Sequence, residues 1–577
     1  MTESASTLLE GLDDAQRVAA EALLGPVCVL AGAGTGKTRA ITHRIAYGVA
    51  TGVYAPNRVM ALTFTARAAS ELRSRLRALG ASGVAARTFH ASALSQLNYF
   101  WPFVVGGSLP RVLEGKARLL GQAAERIRLR VDTATLRDVA AEIEWRKVSE
   151  LSLDDYERML VSGPDRAAPR ATPGSLTTSQ AVDLQRAYET LKDDRRQLDF
   201  EDVLQACAGM IETEASVAMH VREQYRFFVV DEYQDVSPLQ QRLLDLWLGD
   251  RSDLCVVGDA SQTIYSFAGA SSAFLLEFPR RYPDASLVRL EQNYRSSPPI
   301  VEAANHLMQG RPGALTLHAL HDPQSVAPIP TIAGYDTDAA EAAAVAADLA
   351  ASIRSGAEPH DLAVLYRVNA QAAPLEAALT NAGVAYQVRG GARFFDLPEV
   401  RQAVMTLRAA SLTVANEPLF QSVSDVLRSL GWTLEAPQGA GSVRDRWEAL
   451  NAIMGLVDDA PAETTFREFT EDLLARQAAQ HEPRIAAVTL CTLHAAKGLE
   501  WDDVHIVGLG DGLMPIGYAR TPDAVEEERR LLYVGVTRAR RRLSLSWAAS
   551  AVGPREPSRF LADLGIRTDR AAHTTAG

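Results

Sequence analysis

Apolar positions along the chain cluster in short β-rich runs, separated by polar loops and by longer stretches of helical spacing. A first group comprises PVCVL (26–30), RVMALTF (58–64), FFVVD (227–231), LCVVGD (254–259) and SLVRLE (286–291). A second comprises TIAGY (331–335), LAVLYR (362–367), AAVTLCTLH (486–494), VHIVGL (504–509) and RLSLSW (542–547). Runs that are apolar almost throughout predict strands buried on both faces of a parallel sheet. Most are followed by a polar loop and a helical pattern, the βα rhythm of α/β domains. Ligands of such domains gather at the carboxyl ends of the strands. Residues 110–195 and 399–480 break the rhythm with Leu/Ala/Arg/Glu-rich helical spacing and read as helical insertions. The first is interrupted by the turn-rich GPDRAAPRATPGS (163–175), and the tail IRTDRAAHTTAG (566–577) is expected to be disordered. The expected class is therefore α/β, with two parallel-sheet domains that each carry a mainly helical insertion.

Composition changes this picture little. At 577 residues the chain exceeds the ~250–300 at which one core stops growing, so several compact domains are expected. No apolar run approaches the ~18–20 residues needed to span a bilayer, and MTESASTLLEGLDD lacks a basic region followed by an apolar one. A soluble cytoplasmic protein without membrane contact is the expectation. Cys28, Cys207, Cys255 and Cys491 form no C-x-x-C pair, which argues against zinc or iron–sulfur ligation. The net charge of −12 excludes a uniformly basic surface but not a local phosphate-gripping groove. Lysine is scarce: only Lys37, Lys116, Lys147, Lys192 and Lys497 occur, and three of these, Lys37, Lys116 and Lys497, lie next to glycines.

The first of those three sits in AGAGTGKT (31–38), after a strand run and before the helical pattern RAITHRIAYGVA. Backbone amides of such a loop and of the helix start face phosphates. Lys37 would neutralise the β/γ-phosphates of ATP and Thr38 would ligate Mg²⁺. Ala31 stands where the strict pattern has Gly; Gly32, Ala33, Gly34, Thr35, Gly36 and Arg39 complete the candidate cradle. FFVVDEYQD then places Asp231 and Glu232 at a strand end. Asp231 suits a Mg²⁺-holding carboxylate and Glu232 a group that polarises the attacking water. A solvated turn is the alternative for two acids alone; a phosphate loop elsewhere in the chain argues against it.

Together these two stretches resemble the superfamily 1 helicases of the UvrD/Rep/PcrA family, and further stretches match in order. They are GLDDAQR (11–17), ALTFTARAASELRSRL (61–76), RTFHA (87–91), LDFEDVL (198–204), VVGDASQTIYSFAGA (256–270) and LEQNYRS (290–296), then AVLYRVNAQ (363–371), VTLCTLHAAKGLEW (488–501) and EEERRLLYVGVTRAR (526–540). The resemblance implies two RecA-like motor domains, 1–105 with 196–285 and 286–398 with 481–566. The insertions would be 106–195 and 399–480, with a tail at 567–577. It implies a DNA-dependent ATPase that uses ATP and Mg²⁺, moves 3′ to 5′ on single-stranded DNA and unwinds duplex in repair or replication. Expected partners are single strands, single/double-strand junctions and repair proteins, with the chain a monomer or weak dimer.

By the same resemblance Gln16 reads the adenine edge, Tyr294 stacks on the ring and Glu500 meets the sugar. Gln262 senses the γ-phosphate, and Arg295 and Arg538 are the fingers of one composite ATP site. Thr63, Phe64, His90, Tyr265, Phe267, Arg367, Asn369, Thr489 and His494 are expected to contact DNA, the aromatic ones as stacking platforms. Phe64 ends an apolar strand, so a core role is its alternative. Arg540, Arg541 and Arg542 read as surface charge. No Gly-rich turn precedes Lys497 and no Ser or Thr follows it, so it is assigned to loop structure or charge and not to a second phosphate cradle.

The chain departs from the family pattern in three places. Phe267 and Ala268 replace a Trp-Arg pair, which keeps stacking and loses one charge on the DNA side. Leu397 stands where an Arg is usual. Only 88 residues separate Glu399 from Val488, a shortened second insertion. The shortened form is closest to the second, smaller UvrD-like helicases of actinobacteria. The cysteine-rich and helical modules that often follow the core of those relatives are not expected here. A translocase with weak autonomous unwinding is the nearest alternative; a nucleotide-gated DNA-binding scaffold is an alternative of another class.

Overall fold

The computed structural model describes residues 3–161, 172–173, 176–320, 327–389, 395, 397–412, 418–435, 442–458, 460–461, 463–479, 486–549 and 555–566. The turn-rich segment inside the first insertion and the expected disordered tail thus fall almost wholly outside the described residues. The chain forms two compact units, 1–294 with 310–317 and 520–530, and 295–309 with 318–519 and 531–577.

The first unit holds a six-stranded sheet built from β1 (Val27–Ala31), β2 (Val59–Thr63), β3 (Ala85–Thr88), β4 (Phe227–Val230), β5 (Leu254–Gly258) and β6 (Ser286–Leu290), in the order β3-β2-β4-β5-β1-β6. Every pairing is parallel. Alternate β1 residues feed two cores. Val27, Val29 and Ala31 pack with Ile41 and Ile45 on one face. Cys28 packs with Leu62, Phe228, Val256, Leu204 and Trp247 on the other. Burial on both faces, at ~1.5–3 kcal/mol for each large apolar side chain, accounts for the nearly continuous apolar runs. β6 pairs with β1 over Val27–Ala31. This strand therefore completes the first sheet, and the first compact unit runs on to Tyr294.

The second unit repeats the plan with β7 (Thr331–Tyr335), β8 (Leu362–Tyr366), β9 (Tyr386–Arg389), β10 (Val488–Thr492), β11 (Trp501–Ile506) and β12 (Ala539–Ala548), in the order β7-β12-β11-β8-β10-β9 and again all parallel. β3 and β9 were not among the expected strands. Both are edge strands with intermediate burial, so their sequences, AART and YQVR, carry little apolar signal.

Both insertions are helical with cores of their own. Ala117–Arg126, Thr133–Val148, Leu153–Val161 and Thr178–Asp194 form the first, around Leu120, Val139, Ile143, Leu184 and Tyr188. Pro398–Ser411, Leu419–Ser429, Ser442–Asp458 and Phe466–Ala479 form the second, around Val404, Leu407, Leu450, Ile453 and Leu473. The first insertion is tied to the sheet domain by an unexpected device. Three of the five lysines are buried there. Lys147 Nζ donates to Asp199 at 2.7 Å and Asp202 at 2.7 Å and pairs with Glu189 at 2.9 Å. Lys192 pairs with Glu189, Asp199 and Asp202. Lys116 pairs with Glu144 at 2.8 Å and Glu201 at 2.9 Å. Asp199, Glu201 and Asp202 open the helix Phe200–Thr213, where Asp199 and Asp202 also form a capping box. Glu189, Asp199 and Asp202 lie close enough to hold a metal, but ammonium groups are already bonded to all three.

Candidate nucleotide site and DNA-contacting surface

β1 leads directly into the Gly-rich turn, and the helix Lys37–Ala50 begins at its last residues. Gly34 and Gly36 sit at φ +70° and +79°, which only glycine adopts without strain. The loop's carbonyls are drawn outward. Gln16 Nε2 donates to Thr35 O at 2.9 Å, Thr35 Oγ1 to Gly32 O at 2.9 Å, Asn293 Nδ2 to Ala33 O at 2.7 Å and Tyr294 N to Gly34 O at 2.9 Å. Turning the carbonyls away is what leaves amides to face an anion. Lys37 Nζ lies over the same turn, donating to Ala31 O at 3.0 Å and Gly32 O at 3.3 Å.

Three adjacent strands, β4, β5 and β1, end at this edge. Asp231 follows β4, with its amide bonded to Leu62 O at 2.9 Å. Its carboxyl is pushed up to about 7, first by burial and then by the charge of Glu232, while Lys37 pulls it down. The Asp231 carboxyl and the Thr38 hydroxyl would offer oxygen donors only, the chemistry that suits Mg²⁺. Glu232 adopts a left-handed conformation, φ +52°, a strained state for a residue with a side chain. Gln262 is buried at the end of β5, and its Nε2 donates to Asp259 Oδ2 at 2.7 Å.

At the other side of the loop, Asp13 caps the helix Asp14–Glu21 through the Gln16 amide at 2.7 Å and accepts the Tyr294 hydroxyl at 2.5 Å. Tyr294 is 47% exposed, and burial together with the Asp13 carboxylate pushes its phenol up to about 12, so it remains a donor. One carboxylate thus holds both the backbone of Gln16 and the ring hydroxyl of Tyr294. Arg39 is exposed beside them.

Of the expected DNA-contacting residues of this unit, the aromatic ones Phe64, Tyr265 and Phe267 group together at the surface. Phe64 follows β2 and is 42% exposed, and Phe267 is 55% exposed, so neither is a core residue. The Phe64 and Tyr265 rings are parallel to within 6° with centroids 6.0 Å apart, and Tyr265 meets Phe267 edge-on at 6.1 Å. Thr63 Oγ1 and His90 Nε2 are buried polar atoms with no partner among the described residues. Burial, and then the charge of Lys116, lowers His90 to about 4, so its ring is neutral at neutral pH. The loop carrying Tyr265 and Phe267 is anchored by two residues of the helix Pro522–Val536: Ser266 N donates to Glu527 at 3.0 Å, and Arg530 Nε donates to Thr263 O at 2.8 Å.

In the second unit, Arg295 donates to Glu500 at 2.5 Å and to Thr537 O at 3.2 Å. Arg538 is 2% exposed; its guanidinium donates to Val534 O, Leu499 O and Thr537 Oγ1 at 2.9, 3.1 and 3.0 Å. The two arginines therefore meet at Thr537. Arg540 is not only surface charge: it bonds Glu500 at 2.6 Å, and Arg542 bonds Asp348 at 2.8 Å. Arg367 and the exposed Asn369 follow β8. Thr489 is buried within β10, where Gln387 Nε2 donates to its hydroxyl at 3.4 Å. His494 is lowered to about 4 by burial and then by Arg367. After β10 the chain turns on itself without starting a helix, and the amides of Ala495, Ala496, Lys497 and Leu499 are used within the turn. This is not the architecture of a phosphate loop.

Asp13, Gln234, Asp259, Asn293, Glu527, Arg530 and Thr537 organise these groups, and the sequence reading gave none of them a role. All lie inside or beside the quoted motifs. The legible signal was limited to Asp13, a helix-capping residue before an apolar helical pattern.

Comparison with known proteins identifies the family. The UvrD/REP helicase N-terminal domain family matches residues 12–283, and the UvrD-like helicase C-terminal domain family matches 288–435 and 416–550. The ATP-dependent DNA helicase UvrD2 of Mycobacterium tuberculosis is 48% identical over 98% of this chain and 83% of its own length. DNA helicase II of Escherichia coli is 30% identical over 97% of this chain and 88% of its own length. The ATP-dependent DNA helicase PcrA of Bacillus subtilis is 27% identical over 98% and 87%. With two parallel-sheet units and family matches that run through nearly all of its length, this chain belongs to the UvrD/Rep family of helicases.

Proposed function

We propose that this ATP-dependent DNA helicase tracks 3′ to 5′ on single-stranded DNA and opens duplex at single/double-strand junctions in the cytoplasm, in DNA repair or replication. The observation that carries the reading lies in the first unit. The loop after β5 holds Gln262 at the nucleotide edge of the sheet and, three and five residues later, the exposed rings Tyr265 and Phe267. One loop thus serves both phosphate chemistry and base stacking.

In this reading the backbone amides of 32–38 and Lys37 bind the ATP phosphates. Thr38 and Asp231 hold Mg²⁺, which supplies charge neutralisation when bound. Glu232 accepts the proton of the attacking water, and Gln262 senses the γ-phosphate. Arg295 and Arg538 stabilise the charge that develops on the transferred group. Gln16 and Tyr294 select adenine, and Glu500 orients the sugar. Phe64, Tyr265 and Phe267 stack bases, while Thr63, His90, Arg367, Asn369, Thr489 and His494 contact the backbone. The motor domains are 1–105 with 196–285 and the following β6, and 286–398 with 481–566 less that strand.

Strand displacement on substrates with 3′ or 5′ single-stranded tails, run beside ATPase with and without single strands, tests the proposal. DNA-stimulated hydrolysis with displacement only from 3′ tails is expected. Stimulated hydrolysis without displacement selects the translocase; no hydrolysis selects the scaffold; displacement from 5′ tails overturns the polarity.

A further inference from the structure

We infer that Gln234, the fourth residue of DEYQD, is the positioning residue that locks Glu232 and Gln262 into one hydrolytic unit. The inference rests on the functional reading above and adds a residue to it. Gln234 is fully buried, yet its side chain is bonded at both ends. Its Nε2 donates to Glu232 Oε2 at 2.5 Å and more weakly to Asp235 Oδ2 at 3.4 Å. Its Oε1 accepts the Asp259 amide at 2.9 Å. The orientation of the amide is unambiguous, since a backbone N–H only donates and an ionised carboxylate only accepts.

Asp259 extends the chain of bonds. Its Oδ1 accepts the Ser261 amide at 3.0 Å and its Oδ2 accepts Gln262 Nε2 at 2.7 Å. A continuous path therefore runs Glu232–Gln234–Asp259–Gln262, from the end of β4 to the loop after β5. The fold makes room for it: a Cβ on Gly258 would lie 2.6 Å from Gln234 Oε1. Glu232 also occupies a left-handed backbone state that needs outside support. The Gln234 amide bonds its carboxylate from a strand-anchored position, holding the base at a set angle to the nucleotide edge. Gln262 precedes Tyr265 and Phe267 on the same loop, so the path also links the base to the aromatic surface.

The test uses the full chain with Gln234→Met and Gln234→Glu. Met keeps the length and loses all three bonds; Glu keeps the acceptor for Asp259 and, when ionised, repels Glu232. For Met, a kcat loss on the order of 10²-fold is expected, the scale of a misplaced catalytic group, with KM for ATP nearly unchanged. The ratio of DNA-stimulated to basal hydrolysis should fall with it. For Glu, the defect should be relieved as pH falls and the introduced carboxyl gains a proton it can donate, a response a packing role would not give. Wild-type kcat and DNA stimulation in Gln234→Met, or a Gln234→Glu defect independent of pH, overturns the inference. Should Met fold poorly, the Glu pH profile decides alone. Glu232→Gln in parallel separates the two readings: if it hydrolyses ATP normally, the assignment of the site itself fails.

Discussion

Individual residues show which charges the site can use. His90 and His494 were expected on the DNA path, and burial keeps both neutral, with values of about 4. They can therefore offer single hydrogen bonds to a strand but no charge pairing at neutral pH. The folded values lie below the ordinary ~6.5, so the unfolded chain binds protons first as pH falls. Their stabilising contribution is full above about 6.5 and is lost as pH drops towards 4. Histidine-selective NMR should give ring titrations well below 6.5 for both; a midpoint at or above 6.5 for either assigns it a charged role instead. At this scale Lys37, Thr38, Asp231 and Glu232 were legible because phosphate chemistry dictates residue type and spacing in one short stretch. Gln234 and Thr537 were not, because an amide or hydroxyl acquires a role only from what the fold brings beside it.

At the scale of elements, scarce lysine proves informative. Lys147 and Lys192 join the helices Thr133–Val148 and Thr178–Asp194 to the start of Phe200–Thr213. Burial alone would raise Asp199, but Lys147 and Lys192 hold it well below the usual carboxylate range. Burial and the Asp199 charge push Glu201 up to about 7 despite Lys116. A buried network of this kind is costly to break, because removing one cation strands its carboxylates. Lys147→Met should cost about 3–5 kcal/mol in denaturant unfolding, the range for breaking a buried ion pair. A change below about 1 kcal/mol, the range of an exposed pair, would mean that the carboxylates reach water. Helical spacing revealed these helices, but it could not distinguish their lysines from solvated ones. Edge strands β3 and β9 were missed for a related reason: partial burial relaxes the apolar pattern on which strand recognition depends.

For the whole molecule, the question is how DNA changes hydrolysis. Tyr265→Ala combined with Phe267→Ala should weaken single-strand binding by ~1–3 kcal/mol per stacked base. Basal ATPase should survive and DNA stimulation should be lost, with melting temperature nearly unchanged because Phe267 is exposed and the cores are elsewhere. A large drop in melting temperature with normal stimulation would return these rings to a structural role. The sequence by itself determined the repeated α/β plan, the helical insertions, the phosphate loop and the acidic strand end. Each depends on local periodicity or on residue types fixed by chemistry over a few positions. Only the tertiary structure decided the assignment of Ser286–Leu290 to the first sheet, the burial of three lysines, and the path from Glu232 through Gln234 and Asp259 to Gln262. Those depend on which strand ends and helix faces meet across tens to hundreds of residues, and partner choice at that range is made by packing.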